Sequence, residues 1–274
     1  MPRLPRPLVI GVVNVTPDSF SDGGLYFDAQ AAIEHGLQLR EHGADILDVG
    51  GESTRPGAER PPVEEELRRV IPVVRALSGG GATVSVDTMR AEVAAAAVAA
   101  GAHMINDVSG GLADEALMPL AAESEIPYVC MHWRGHSSVM EQHATYGDVV
   151  KDVIDELTPR VDAALAAGIT RDRLIIDPGL GFAKNAEHNW ELLRRLAELD
   201  QFECPILVAA SRKRFLGALL ADATSEQPRP VTGRDVASAT VSVFAWLAGA
   251  WGVRVHDVLS TMDALAVAGR MGCA

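Results

Sequence analysis

The run N-V-T-P-D-S-F-S-D-G-G from Asn14 to Gly24 sets an amide, two carboxylates, several hydroxyls and a phenyl ring directly after the apolar stretch Leu8 to Val13. Such a mixture makes a poor core, and the closing glycine pair suits a mobile lid over polar chemistry. An enzymatic site near the N-terminus is therefore expected. The same arrangement recurs along the chain, where short Val/Ile/Leu-rich runs end in groups that can hydrogen-bond or carry charge. These ends hold Asp48 and Glu52, Asp87, Asn106 and Asp107, His132, Asp177, the Ser211-Arg212-Lys213 trio, and Arg254 with His256. Arg254 and His256 flank Val255, so on an extended strand they face the same way.

The elements that must position these groups follow from apolar periodicity. Leu8 to Val13, Ala44 to Gly51, Thr83 to Thr88, Met104 to Ser109, Pro127 to His132, Leu174 to Gly179, Pro205 to Ala210 and Val253 to Val258 read as strands buried on both faces. Between them, Ala29 to His42, Val63 to Leu77, Glu187 to Leu199, Val236 to Ala250 and Asp257 to Arg270 repeat their apolar residues at three and four, as helices do. Gly43, Gly101 and Gly168 stand where helices should stop. Eight strands alternating with helices predict an α/β fold, a single (β/α)8 TIM barrel spanning residues 1–274. Its active site lies at the C-terminal ends of the strands, where polar residues scattered along the chain converge. A doubly wound open sheet is the alternative, but it would not place the first and last strands side by side.

A chain of 274 residues suits one such barrel, and no Pro/Ser-rich linker divides it. The formal charge of −13 argues against a nucleic-acid partner, because phosphate backbones require clustered basic surface. Cys130, Cys204 and Cys273 lack metal-ligand spacing and read as buried reduced thiols in a cytoplasmic protein. The stretch from Met1 to Ile10 has no apolar signal core. Val236 to Val253 is marginal in length for a membrane span and carries Ser238, Thr240 and Ser242, so a helix covered by a second subunit is expected rather than a membrane partner. His132, His136 and His143 fit no standard zinc spacing and are assigned loop or surface roles.

Seven motifs in order make the reading specific. They are N-V-T-P-D-S-F-S-D-G-G at Asn14, D-V-G-G-E-S-T-R-P-G at Asp48, S-V-D-T at Ser85, I-N-D-V-S at Ile105, D-P-G-L-G-F-A-K at Asp177, S-R-K-R-F at Ser211 and R-V-H-D-V at Arg254. Together they resemble the dihydropteroate synthase family of folate biosynthesis over nearly the whole chain, and M-H-W-R at Met131 is most similar to actinobacterial members. The resemblance implies that the amine of 4-aminobenzoate displaces pyrophosphate from 6-hydroxymethyl-7,8-dihydropterin diphosphate, with Mg2+ assistance and in a homodimer.

Each motif can be set against that chemistry. A pterin edge carries N–H donors and acceptors that buried carboxylates and a carboxamide can read, which suits Asp87, Asn106 and Asp177. Alone, an aspartate in Asp-Pro-Gly is more often a turn cap, but three such residues at strand ends favour a site. Met131, Ile126 and Phe182 could line the ring faces, with a core role the default for Ile126. Arg254 and His256 form an expected clamp on the diphosphate. The resemblance assigns Asn14 to Mg2+ and Thr54, Arg55 and Pro56 to a second closing loop. It gives Lys213 contacts with both substrates. Asp22 and Phe20 would stabilise positive charge on the pterin methylene if carbon–oxygen cleavage leads, and the 4-aminobenzoate carboxylate is placed near Arg214 at a helix start. Ala209 and Ala183 stand where many members have glycine. A non-catalytic pterin-binding paralogue is the principal rival, followed by a pterin-dependent methyltransferase.

Overall fold

The computed structural model describes residues 5–16, 25–53, 57–58, 60–136, 140–222 and 227–272, without the side chains of 25–28 and 141. Phe20, Asp22, Thr54, Arg55 and Pro56 lie outside these residues, as does Cys273. Eight parallel strands alternate with helices: β1 (Leu8–Asn14), β2 (Ile46–Gly50), β3 (Val84–Asp87), β4 (Met104–Asp107), β5 (Tyr128–Met131), β6 (Leu174–Asp177), β7 (Leu207–Val208) and β8 (Gly252–Val255). Their spatial order is β6-β5-β4-β3-β2-β1-β8-β7. First and last strands pair, Leu8 with Gly252 and Ile10 with Arg254, which excludes the open doubly wound sheet. A single bridge, Ile176 to Ile206, joins β6 to β7 and closes the ring.

Alternation along the strands separates two tasks. Ile10, Ile46, Met104, Val129, Ile175 and Leu207 point inward and form one small apolar floor inside the barrel. Their neighbours Val9, Leu47, Ile105, Tyr128, Leu174, Val208 and Val253 point outward into the large core under the helices. Leu47, Ile105, Leu174 and Ile176 are fully buried, each contributing about 1.5–3 kcal/mol of transfer free energy. Two residues beyond the floor, the inward side carries Asp48, Asn106, Met131 and Asp177, and β3 and β8 add Asp87 and Arg254. The site is thus one pleat step above an apolar plug.

Around the barrel lie α1 (Leu25–Glu41), α2 (Val63–Gly79), α3 (Ala91–Ala99), α4 (Leu117–Glu123), α5 (Val149–Ala166), α6 (Ala186–Arg194), α7 (Arg214–Leu219), α8 (Asp235–Leu247) and α9 (Val258–Arg270). The expected helix over Glu187 to Leu199 is divided. After α6 the chain tightens to a 3-10 helix, Leu196–Phe202, whose buried Leu196, Leu199 and Phe202 recur every three residues. Gly43, Gly101 and Gly168 do follow helix ends. No described helix is long and apolar enough to cross a membrane.

Candidate active site

Asp87, Asn106, Asp177 and Arg254 reach the barrel mouth from four strands, and a fifth strand contributes Asp48, a strand-end residue that the sequence alone does not assign to the site. Arg254 Nε donates to Asp48 Oδ2 at 2.6 Å and its Nη2 to Asp87 Oδ2 at 2.8 Å. Asn106 Nδ2 donates to the same Asp48 oxygen at 3.0 Å. Burial raises the Asp87 carboxyl to about 7, because Asp48 nearby adds to the desolvation that Arg254 offsets. The expected diphosphate clamp therefore has its arginine held on two carboxylates, with Nη1 outside both bonds. Asp107, adjacent to Asn106, faces outward and accepts from Ser109 N, Ser109 Oγ, Gly111 N and Tyr128 Oη, so it shapes the loop after β4.

Asp177 accepts from Gly179 N at 2.7 Å through Oδ1, and burial raises its pKa against the pull of Gly179, Lys213 and Arg254. Lys213 Nζ donates to Leu180 O at 2.5 Å and lies 4.1 Å from the Phe182 ring centroid. Desolvation lowers this ammonium to about 8. Gly181 allows the approach: a Cβ there would stand 2.6 Å from Lys213 Cδ. Lys213 caps α7, a helix of six residues that begins at the exposed Arg214. Arg212 turns away and pairs with Asp235 at 2.7 and 2.8 Å, while Arg234 donates to the Arg212 carbonyl at 2.8 Å. Ser211 Oγ lies 3.1 Å from His256 Nδ1 and accepts from His256 N at 3.1 Å, tying the ends of β7 and β8 together.

An apolar shelf stands beside this polar layer. Met89, Val108, Met131, Met140, Phe182 and Ala183 pack as one cluster, with Trp133 at its edge. Flexible thioethers and a phenyl ring suit a flat heterocycle. Of these, the sequence pointed to Met131 and Phe182. Met89, Val108 and Met140 carry no motif of their own. Ile126 packs against the outer core, as expected.

Lys184 is a further residue to which the sequence alone gives no role. Its ammonium donates to Gly179 O and Phe182 O, both at 3.0 Å, and to His132 Nδ1 at 2.9 Å. His132 Nε2 in turn meets Glu156 at 3.0 Å, so this network assigns the proton to Nε2. Burial and Lys184 lower His132 to about 4, which keeps it neutral. His132 thus has a structural place under the loop from Gly179 to Lys184, and it is buried rather than at the surface. The sequence signal was the strand-end position itself.

That loop contains Ala183 at φ +49°, the left-handed region that costs a non-glycine residue about 1–2 kcal/mol. The alanine noted in the sequence is therefore strained. Ala183→Gly should stabilise the protein by about 0.5–1 kcal/mol in urea unfolding, net of the extra freedom glycine gives the unfolded chain. A loss of stability would show that the conformation carries no strain.

Asn14 ends β1, with the inward parity of Ile10. Among the described residues no group of three or more His, Cys, Asp or Glu could hold a metal. At the end of β1 the Asn14 carboxamide oxygen would be a hard ligand of the kind Mg2+ takes while keeping several waters.

A closed barrel with carboxylates, a carboxamide and two cations at its mouth beside a methionine-rich shelf is that of a pterin-binding enzyme, and the pterin binding enzyme family model matches residues 10–256. Dihydropteroate synthase of Mycobacterium leprae is 55% identical over 262 residues, covering 95% of this chain and 92% of that relative. The Xanthomonas albilineans dihydropteroate synthase solved with 4-aminobenzoic acid superposes with a TM-score of 0.89 at 46% identity, covering 98% of this chain and 94% of that one. A complex of the Xanthomonas albilineans synthase with 7,8-dihydropteroate gives 0.86 at 43% identity, covering 98% and 95%. The chain belongs to the dihydropteroate synthases.

Proposed function

We propose that the mouth binds 6-hydroxymethyl-7,8-dihydropterin diphosphate and 4-aminobenzoate and joins them into 7,8-dihydropteroate with release of pyrophosphate. The observation that carries this reading is the inward polar layer of Asp87, Asn106, Asp177, Lys213 and Arg254 above a sealed apolar floor. The 4-aminobenzoic acid and 7,8-dihydropteroate complexes of the Xanthomonas albilineans relatives support the choice of substrates.

Acceptors on Asp87, Asn106 and Asp177 would take the N–H groups of the pterin, and Lys213 would donate to its carbonyl. Met131 and Phe182 would hold the ring faces and exclude water. Arg254, through Nη1, and His256 would face the diphosphate, and the 4-aminobenzoate carboxylate would lie near Arg214. The bond from methylene carbon to diphosphate oxygen breaks with its electron pair leaving on pyrophosphate. The aromatic amine then forms the new carbon–nitrogen bond and loses a proton to solvent. In an SN1-like order, cleavage leads and the methylene becomes cationic, which is where Asp22 and Phe20 would act; Thr54, Arg55 and Pro56 would close over the second substrate. Mg2+, held by Asn14 and the diphosphate, would neutralise charge on the leaving group.

Purified protein given both substrates and Mg2+ should release pyrophosphate stoichiometrically with dihydropteroate, identified by mass. Pterin binding without product would replace this reading with a non-catalytic pterin-binding protein.

The homodimer belongs to the same proposal. Val236 and Phe244 on α8 are 79% and 66% exposed, and Leu259 and Val267 on the adjoining α9 extend the apolar face. A second copy would cover it. The wild type should sediment as a dimer at micromolar concentration and Phe244→Glu as a monomer; a monomeric wild type would remove the interface. A reducing cytoplasm accords with the free thiols of Cys130, which is buried as expected, and Cys204, which is only half-buried at the edge of the core.

A further inference from the structure

Asp48 is fully buried, yet only one of its oxygens is bonded. Oδ2 accepts from Arg254 Nε and Asn106 Nδ2, whereas Oδ1 makes no hydrogen bond among the described residues. Ser85, its register neighbour on β3, likewise has a buried hydroxyl without a partner. A buried carboxylate is costly to keep, and this one commits a single oxygen to two side chains of the site.

The task of Asp48 follows from what Oδ2 does to its two donors. A carboxamide has one accepting and one donating end, and Asp48 engages the donating end of Asn106. The accepting oxygen is thereby turned toward the mouth. The same Asp48 oxygen fixes Nε of Arg254 while Asp87 fixes Nη2, so the guanidinium plane is set from two sides. We propose that Asp48 is the positioning residue that makes this site selective for a heterocycle presenting an N–H donor edge, by locking Asn106 with its oxygen toward the ligand and aiming Arg254. This rests on the pterin-binding reading above and extends it to a residue that touches no substrate.

The experiment compares calorimetric affinities for two probes, 6-hydroxymethylpterin and the corresponding lumazine, which carries oxygen in place of the 2-amino group. The wild type should favour the pterin by about a hundredfold or more, since a site built for N–H donors leaves its acceptors unpaired against oxygen. Asp48→Ala retains Asp87 as the partner of Arg254 but frees Asn106 to rotate, and the preference should fall to about tenfold or less. Asp48→Asn presents an amide oxygen at the same place and should restore the preference to within about threefold of wild type, although affinity for both probes drops with the lost charge. Should the alanine variant fail to fold, Asp48→Ser serves in its place, because its hydroxyl is too short to reach Asn106. A residue that merely supports the fold would weaken both probes alike. An unchanged ratio in the alanine or serine variant overturns the proposal, and so does an asparagine variant that folds but does not restore it. A wild type that binds neither probe would instead remove the function proposed above.

Discussion

Arg254→Met is expected to destabilise the protein by about 3–5 kcal/mol, because it leaves two buried carboxylates facing each other without their cation. The partners are Asp48 and Asp87, 0% and 9% exposed. The loss should depend on pH in a defined sense. Asp87 titrates near 3.8 when unfolded and is raised to about 7 in the fold, where Arg254 is among the groups holding it down. Without the arginine its folded value rises further. Between the two values the folded chain binds a proton that the unfolded chain does not, so stability falls as pH climbs through that window. The deficit of Arg254→Met relative to wild type should therefore be greatest at pH 8 and smaller at pH 5.5, as read from urea unfolding at each pH. Equal deficits would mean that Asp87 does not sense Arg254.

Asp177→Asn is expected to weaken pterin binding by about a hundredfold while leaving stability nearly unchanged. The amide oxygen can keep the 2.7 Å bond from Gly179 N, so the loop survives. The other end then becomes an NH2 group facing ring N–H donors. Replacing a charged acceptor by a donor loses about 1.5–3 kcal/mol and adds repulsion. Calorimetry with 6-hydroxymethylpterin measures it. An unchanged affinity would move pterin recognition away from β6.

Much of this architecture was legible because its signals are local. Strands buried on both faces read as unbroken apolar runs, and all eight were visible that way, even β7, which has only two residues in ladder geometry. The side-chain parity that aims Asp177 and Arg254 inward also follows from counting. What could not be read depends on contacts across the barrel. Asp48 lies 206 residues from Arg254 in sequence, and nothing near either residue announces the bond. Lys184 looked like the end of a glycine-rich motif, but its work depends on a histidine 52 residues away. The methionine shelf is assembled from single residues after β3, at the end of β5 and from a 3-10 turn, Met140–His143. Apolar residues without periodicity give no advance notice of a shared surface.

The closure of the ring has its own consequence. Backbone pairing between β6 and β7 is a single bridge, and this thin join separates Asp177, at the end of β6, from Lys213, just past β7. Lys213 already reaches across it to the Leu180 carbonyl. A ligand gripped by Asp177 and Lys213 at once would act as a second tie across the gap, adding to the one bridge that the backbone supplies there. Substrate would then be part of what holds the cylinder shut, and the loaded protein would resist opening more than the empty one by the free energy of that grip.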